Sequence, residues 1–330
     1  MPDLIDPAHS PQPAAQLEVS PKKPRSDVKV TTLQNMKEKG IPVAALSIYD
    51  YPFARTAAKA GVDVIIVGDS LGMTVLGYGN TLPVTMDEMI VFASAAVRGA
   101  GPVFTVGDMP LGAYQASNED AVRNAVRFIK EAKCAAVKCE ASMKLLPRFE
   151  AIANAEVLVM GHLGLNPQKI HEMGGHRIQG KTVESTMELL KTAKALEHAG
   201  AFAILLEGVT EEVAGIIHHE LKIPVYGIGS GRFTDGQLLI GHDPIDFYDW
   251  GTRPVPKYIK HYQSDVGNKT AGQVILDVFS QYVKEVKERK FPFPENVHHI
   301  DMEAFKSSQE GRGEDTADIL KLMAKLPGDV

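Results

Sequence analysis

The sequence predicts a (β/α)8 TIM barrel, and three observations carry that expectation. Eight short runs of apolar, β-type residues alternate with helical patterns along the chain. The runs are almost continuously hydrophobic, as parallel strands covered on both faces must be. No Gly-x-Gly-x-x-Gly comes after the first run, which disfavours the competing open, doubly wound sheet.

The runs span residues 42–48, 62–67, 103–106, 135–137, 157–160, 202–206 and 223–228, with 238–240 the weakest. Between them, Thr85-Met-Asp-Glu88 and Ser117-Asn-Glu-Asp120 fit capping boxes, the second with Asp at its last position. Each opens an apolar stripe: Met89, Phe92 and Ala96 in one, Val122, Val126 and Ile129 in the other. Residues 185–199 form a third helical pattern, closed by Gly200, and Phe291 to Pro294 end the last helix. Two long connections are glycine-bearing: 71–85, suited to a lid or subunit contact, and 162–182, whose Gly174-Gly175 suggests a second flap. Residues 1–26 are rich in proline and poor in bulky apolar side chains, so they read as a disordered tail. The catalytic barrel is placed at 27–300, and 301–330 reads as a charged tail holding one amphipathic stretch, 315–326.

Composition narrows the function classes. Apolar residues make up 44% and charged residues 23%, an ordinary globular balance. Lys and Arg number 35 against 41 Asp and Glu, a net charge of −6, so the chain lacks the basic field of a nucleic-acid binder. The two cysteines, Cys134 and Cys139, exclude a disulfide scaffold and do not have zinc-site spacing. No apolar run reaches the ~18 residues of a membrane span, and no secretory h-region is present, so the expected location is cytoplasmic.

The polar residues at the C-terminal end of each run are the informative ones. Gly68-Asp69-Ser70 ends the second run, Gly107-Asp108 the third, Lys138-Cys139-Glu140 the fourth, Gly161-His162 the fifth and Glu207 the sixth. Alternation puts Lys138 and Glu140 on one face with Cys139 on the other, and groups Glu207 with Ala203 and Leu205. In a barrel these C-terminal ends converge on one mouth, where active sites are built. Each residue also has a plainer reading: Asp69 or Asp108 as an N-cap, Lys138 with Glu140 as a salt bridge, His162 as a structural histidine. Glu207 is the costliest to explain away, because an acid ending an apolar run must be paired or used. Carboxylates sharing a site repel unless a cation neutralises them. Oxygen ligands without clustered His or Cys point to a hard ion, Mg²⁺ before Zn²⁺. Such an ion leaves positions for a 2-oxo acid, one acid off the metal then acts as base, and a lysine neutralises developing charge. Gly227-Ile-Gly-Ser-Gly231 after the seventh run is either a phosphate cradle or a tight turn needing positive φ. His218-His219 and His298-His299 read as solvated.

These residues sit in motifs that resemble the ketopantoate hydroxymethyltransferase family over residues 31–294. The most specific stretches are Val67-Gly-Asp-Ser-Leu-Gly-Met73, Thr81-Leu-Pro-Val-Thr85, Gly161-His-Leu-Gly-Leu165, Gly227-Ile-Gly-Ser-Gly231 and Thr234-Asp-Gly-Gln237. The resemblance implies a barrel of the phosphoenolpyruvate mutase/isocitrate lyase superfamily, assembled as a homodecamer. It implies transfer of a hydroxymethyl group from 5,10-methylenetetrahydrofolate to 3-methyl-2-oxobutanoate, giving 2-dehydropantoate in pantothenate biosynthesis. By motif, Asp69 and Asp108 match Mg²⁺ ligands, with Glu140 a further, water-mediated one. Asp69, Ser70, Asp108 and Lys138 match the 2-oxo acid contacts, Glu207 the general base, and His162 a supporting position. The chain departs from the family at Ala141-Ser142, at Leu111, in Glu207-Gly-Val-Thr210 and across 247–253, all around the mouth. Two other readings stand beside this one: a carbon–carbon or carbon–phosphorus lyase on a related barrel, and a catalytically silent paralogue.

Overall fold

The structure, a computed structural model, describes residues 26–252, 254–308 and 313–327; nearly all of the proline-rich stretch lies outside the described residues. All eight apolar runs are strands: β1 (Val43–Ser47), β2 (Val64–Val67), β3 (Phe104–Asp108), β4 (Ala136–Glu140), β5 (Val159–Gly164), β6 (Ala203–Glu207), β7 (Val225–Ile228) and β8 (Gly236–Ile240). They pair in parallel in chain order, and β8 closes on β1 from Val43↔Gly236 to Ser47↔Ile240. The fold is a (β/α)8 barrel.

Helices α1 (Val30–Glu38), α2 (Tyr51–Ala60), α3 (Leu71–Thr74) and α4 (Met86–Ala100) accompany the first three strands. Next come α5 (Asn118–Arg127), α6 (Leu146–Asn154), α7 (Ile170–Met173), α8 (Val183–His198) and α9 (Glu211–Glu220), then α10 (Ala271–Lys287), α11 (Met302–Ser307) and α12 (Gly313–Met323). The capping box of α4 is complete: Glu88 N–H donates to Thr85 Oγ1 at 3.2 Å and Thr85 N–H to Glu88 Oε2 at 2.7 Å. At α5 only half of the expected box forms. Ser117 caps Asp120 N–H at 3.0 Å, but the Asp120 carboxylate turns to Arg123 at 2.6 Å.

Strand alternation divides the apolar side chains into two cores. Ala45, Ile66, Val106, Met160 and Leu205 fill the barrel, while Leu46, Ile65, Val137, Cys139 and Leu206 face the helices. Leu33 of α1 joins the inner cluster, where the rings of Phe104 and Phe202 lie 5.6 Å apart, so the N-terminal end of the barrel is plugged. The seam between β1 and β8 is held by the Tyr282 hydroxyl of α10, which reaches the carbonyls of Ala45 and Gln237 at 3.0 and 2.7 Å.

The stretch 301–330, expected as a charged tail, holds α11 and α12, and both lie against the barrel's helices. Phe305 and Ile319 are fully buried, and Leu326 fits over Gly215 of α9, where a Cβ would come 2.9 Å from its Cδ2. A few apolar side chains at helical spacing suffice to dock an otherwise charged segment.

Gly107 shows how tightly the outer core is fitted. A Cβ there would stand 2.2 Å from Cδ1 of Phe128, the residue that opens a π-helical turn after α5. Gly107→Ala is therefore expected to lower unfolding free energy by about 1–3 kcal/mol through overpacking, measured by denaturant titration. Unchanged stability would mean that Phe128 swings aside freely.

Candidate active site

The strand ends deliver their polar residues to one place. A cavity of about 570 Å³ at the C-terminal mouth is lined by Asp69 and Ser70 after β2, Asp108 of β3, Lys138 of β4, His162 of β5 and Glu207 of β6. Glu140 is not on its wall. It lies behind, 2% exposed, with Oε1 accepting the Gln168 N–H at 2.9 Å and Oε2 without a hydrogen-bond partner among the described residues.

The side chains form a continuous path across four adjacent strands. Lys138 Nζ is 2.7 Å from Asp108 Oδ1 and 3.3 Å from His162 Nδ1, and His162 Nε2 is 3.1 Å from Glu207 Oε2. An ammonium only donates, so His162 Nδ1 must accept and the ring hydrogen sits on Nε2, facing Glu207. Asp108 Oδ2 accepts the Asp69 N–H at 3.1 Å, and Asp69 Oδ2 accepts from Gln168 Nε2 at 2.9 Å. Ser70 Oγ pairs with the Tyr49 hydroxyl at 2.8 Å. Gly68 leaves room at the centre: a Cβ there would fall 2.9 Å from both Ser47 Oγ and Ser70 Oγ.

Burial sets the charges. Asp69 is pushed up to about 8, first by burial and then by the negative charge of Asp108, against Lys138 and the Gln168 hydrogen bond. Burial also drives Glu140 well above the usual carboxylate range, opposed by the Gln168 N–H. For Lys138 burial works against the charge, but Asp108 and Asp69 outweigh it and keep the ammonium protonated. His162 is lowered by burial and then by Lys138, so the imidazole is neutral.

Acidic oxygens thus outnumber the single buried ammonium, and this arrangement suits a hard divalent cation. Asp69 and Asp108 adjoin each other on the cavity wall, and one Glu140 oxygen is unpaired behind them. Among the described residues no three His, Cys, Asp or Glu side chains form a ready-made ligand set. Two carboxylates with water or substrate oxygens still meet the ordinary needs of Mg²⁺.

The glycine turn after β7 resolves as a tight turn. Gly229 and Gly231 have φ of +61° and +80°, and a Cβ at either would strike Tyr258 or Glu211. The Glu211 carboxylate takes the Arg232 N–H at 2.7 Å and its guanidinium at 2.8 Å, so a protein anion already sits against the end of the turn. The histidine pairs also differ from expectation. His298 lines the cavity, and His299 Nδ1 lies 2.8 Å from Glu212 Oε1. His218 Nε2 is 3.0 Å from Asp235, while His219 remains half-exposed. Part of the second glycine-bearing connection is tied down, since Gln179 N–H donates to the Gly208 carbonyl at 2.8 Å. Sequence reasoning did not single out Gln168, Trp250 or Tyr258, and it read His298, which lines the cavity, as solvated. Gln168 lies in a loop without periodicity, and the other three come from segments that bear no strand-end pattern.

Residues 27–294 match the sequence model of the ketopantoate hydroxymethyltransferase family. A 3-methyl-2-oxobutanoate hydroxymethyltransferase of Clostridium botulinum (strain Loch Maree / Type A3) is 45% identical over 273 residues, covering 82% of this chain and 96% of that protein. One from Pseudothermotoga lettingae is 46% identical over 270 residues, covering 81% and 97%. Among solved structures, phosphoenolpyruvate phosphomutase from Streptomyces platensis subsp. rosaceus superposes with a TM-score of 0.50 at 17% identity, covering 65% of this chain and 81% of that one. Phosphonopyruvate hydrolase in complex with oxalate and Mg²⁺ gives 0.50 at 13% identity, covering 64% and 80%. These two structural likenesses speak to the barrel alone. With four-fifths of its length aligned to curated relatives and its strand-end acids on one cavity, the chain belongs to the ketopantoate hydroxymethyltransferase family of transferases.

Proposed function

We propose that the protein transfers a hydroxymethyl group from 5,10-methylenetetrahydrofolate to 3-methyl-2-oxobutanoate, forming 2-dehydropantoate, with Mg²⁺ bound. The observation that carries this reading is the placement of Glu207 on the same cavity as Lys138, Asp69 and Asp108, its carboxylate facing His162 Nε2 at 3.1 Å. Asp69 and Asp108 would hold Mg²⁺, with Glu140 acting through water, and the bound ion supplies Lewis acidity toward the carboxylate and ketone oxygens of a 2-oxo acid.

The chain's own groups account for the rest. Ser70 Oγ and the Lys138 ammonium face the acid, and Lys138 neutralises charge that grows on the ketone oxygen as C3 loses its proton. Glu207 takes that proton. Neutral His162 sets Nε2 3.1 Å from one Glu207 oxygen, which leaves the other oxygen for the substrate. Apolar Ile66, Leu205 and Leu238 line the same space and suit the isopropyl group. Water adds to the methylene carbon of the donor as its two C–N bonds break, each electron pair returning to nitrogen and taking a proton. The carbanion formed at C3 attacks the one-carbon carbonyl so released, whose oxygen takes up a proton to become the new hydroxyl.

The lyase reading needs a place for phosphate, and the glycine turn that would supply one has the Glu211 carboxylate and the Tyr258 ring packed against it. Its reactive loop cysteine is missing too, because Cys134 and Cys139 are both buried. No helix among the described residues is long and apolar enough to cross a membrane. A homodecamer is proposed from the family resemblance alone, and a cytoplasmic location from the sequence pattern.

Glu207→Gln is expected to slow deuterium exchange at C3 of 3-methyl-2-oxobutanoate by about 10²–10⁴-fold, read by proton NMR without folate. Exchange at the wild-type rate would remove Glu207 from the role. With Mg²⁺ present throughout, the acid at about 100 times its dissociation constant should stabilise the wild type by about 2.7 kcal/mol more in thermal unfolding. Asp69→Asn and Asp108→Asn should lose that stabilisation. A wild type that ignores the pair would instead be a silent paralogue.

A further inference from the structure

Asp69 and Glu140, two of the acids proposed around Mg²⁺, are held by one and the same residue. Gln168 lies in the short 3-10 turn Pro167–Lys169 after β5 and is buried. The base of this connection is fixed to neighbouring strand ends. Leu165 N–H donates to the Glu207 carbonyl at 2.7 Å, and Asn166 Nδ2 to the Ala141 carbonyl at 3.3 Å. From there Gln168 reaches both acids. Its backbone N–H donates to Glu140 Oε1 at 2.9 Å, and its side-chain Nε2 to Asp69 Oδ2 at 2.9 Å.

The direction of the amide is fixed by its neighbours. Nε2 also lies 3.0 Å from the Met109 carbonyl, which can only accept. Oε1 lies 3.0 Å from the Tyr114 hydroxyl and 3.3 Å from Gln115 Nε2. Gln115 is oriented in turn, because its own Oε1 takes the Gly112 N–H at 2.7 Å. Both amide hydrogens of Gln168 and both lone pairs of its oxygen are therefore used, and the side chain cannot turn over without losing these bonds.

The residue type matters as much as the contacts. Lys138 gives its ammonium to Asp108 and balances that carboxylate. Gln168 gives Asp69 a neutral N–H instead, which orients the carboxylate without cancelling its charge. Each acid thus has one oxygen held by Gln168 and one left over. For Asp69, whose side chain lines the cavity, this is Oδ1; for Glu140 it is Oε2, which has no hydrogen-bond partner among the described residues. We propose that Gln168 is a positioning residue for Mg²⁺: one side-chain and one backbone N–H hold Asp69 and Glu140 with their remaining oxygens available to the ion or its water. The inference rests on the reading that Asp69 and Asp108 bind this ion. Carboxylates that ligate a metal are themselves hydrogen-bonded, and loss of such a partner typically weakens metal binding by about 10–100-fold.

The test measures Mn²⁺ binding to the substrate-free protein, from the EPR signal of the free ion, in the wild type, Gln168→Met and Asp69→Asn. Gln168→Met keeps the length of the side chain and the backbone N–H to Glu140 but removes the amide. Its Mn²⁺ dissociation constant should rise by about tenfold or more, with the wild-type circular dichroism retained. In C3 deuterium exchange, the Mg²⁺ concentration giving half the maximal rate should rise about tenfold. The rate at saturating Mg²⁺ should stay within about threefold of the wild type's. Should Gln168→Met not fold, Gln168→Asn, whose amide is one methylene shorter, is held to the same outcome. Unchanged Mn²⁺ affinity in a folded variant, or an exchange rate that falls equally at every Mg²⁺ concentration, overturns the positioning role. A wild type that takes up no more Mn²⁺ than Asp69→Asn overturns the metal reading itself, and the positioning role with it.

Discussion

Among the described residues Lys138 is the one ammonium buried at the mouth of the barrel, and it faces Asp69, Asp108 and Glu140, all of them buried acids. Isolated ionised carboxylates at such depth cost several kcal/mol each, so every one must find a donor, a cation or a proton. The local structure answers that demand piece by piece. Asp108 takes the ammonium and the Asp69 N–H, Asp69 takes the Gln168 amide, and Glu140 takes the Gln168 N–H. The negative charge still left over keeps this end of the barrel an open polar cavity rather than a packed core, and it suits the divalent cation proposed for it. The opposite end shows the alternative, because there α1 and the Phe104–Phe202 pair close the same cylinder with apolar side chains.

Register makes the arrangement possible. Asp108 pairs with Lys138, Glu140 with His162, and Gly164 with Glu207 along β3 to β6. A one-residue slip in any strand would turn its functional side chain toward the helices and bring an apolar neighbour inward. Cys139, between Lys138 and Glu140, shows the cost: it sits in the helix-facing core with its sulfur 3.4 Å from that of Met109. The inner and outer apolar clusters therefore do more than stabilise. They hold the register that aims Asp108, Lys138, His162 and Glu207 into one space.

This link between alternation and aim explains what was legible in the sequence. Apolar runs ending in an acid, a lysine or a histidine announce both strand and direction, so β1 to β8 and the residues at the mouth were readable from spacing. Glu140 was readable as inward-facing, but not as a residue set behind the cavity wall, because that depends on Gln168, 28 positions away. Gln168 carries no periodic signal. It is defined by partners on three other segments: Asp69 after β2, Met109 and Tyr114 between β3 and α5, and Glu140 of β4. Charged composition made 301–330 look like a tail, and only the packing of Phe305, Ile319 and Leu326 shows otherwise. The glycine turn was ambiguous for a related reason, since only the structure shows Tyr258 and Glu211 packed against Gly229 and Gly231.

α9 ties these late elements to the site. Its first turn carries Glu211 and Glu212, both buried, which hold the Gly231–Arg232 turn on one side and the 298–300 strap on the other. Its middle carries Gly215, over which Leu326 closes beyond α12. Glu207, the base proposed for C3, ends the strand that runs directly into this helix. The segment beyond residue 294 is therefore not an independent appendage. Its docking on α9 bears on the same turn and strand end that shape the cavity mouth, so loosening α12 would reach the outer wall of the site before it reached the barrel core. The buried Asp108–Lys138 pair, enclosed by four strands, stands at the opposite extreme of that gradient.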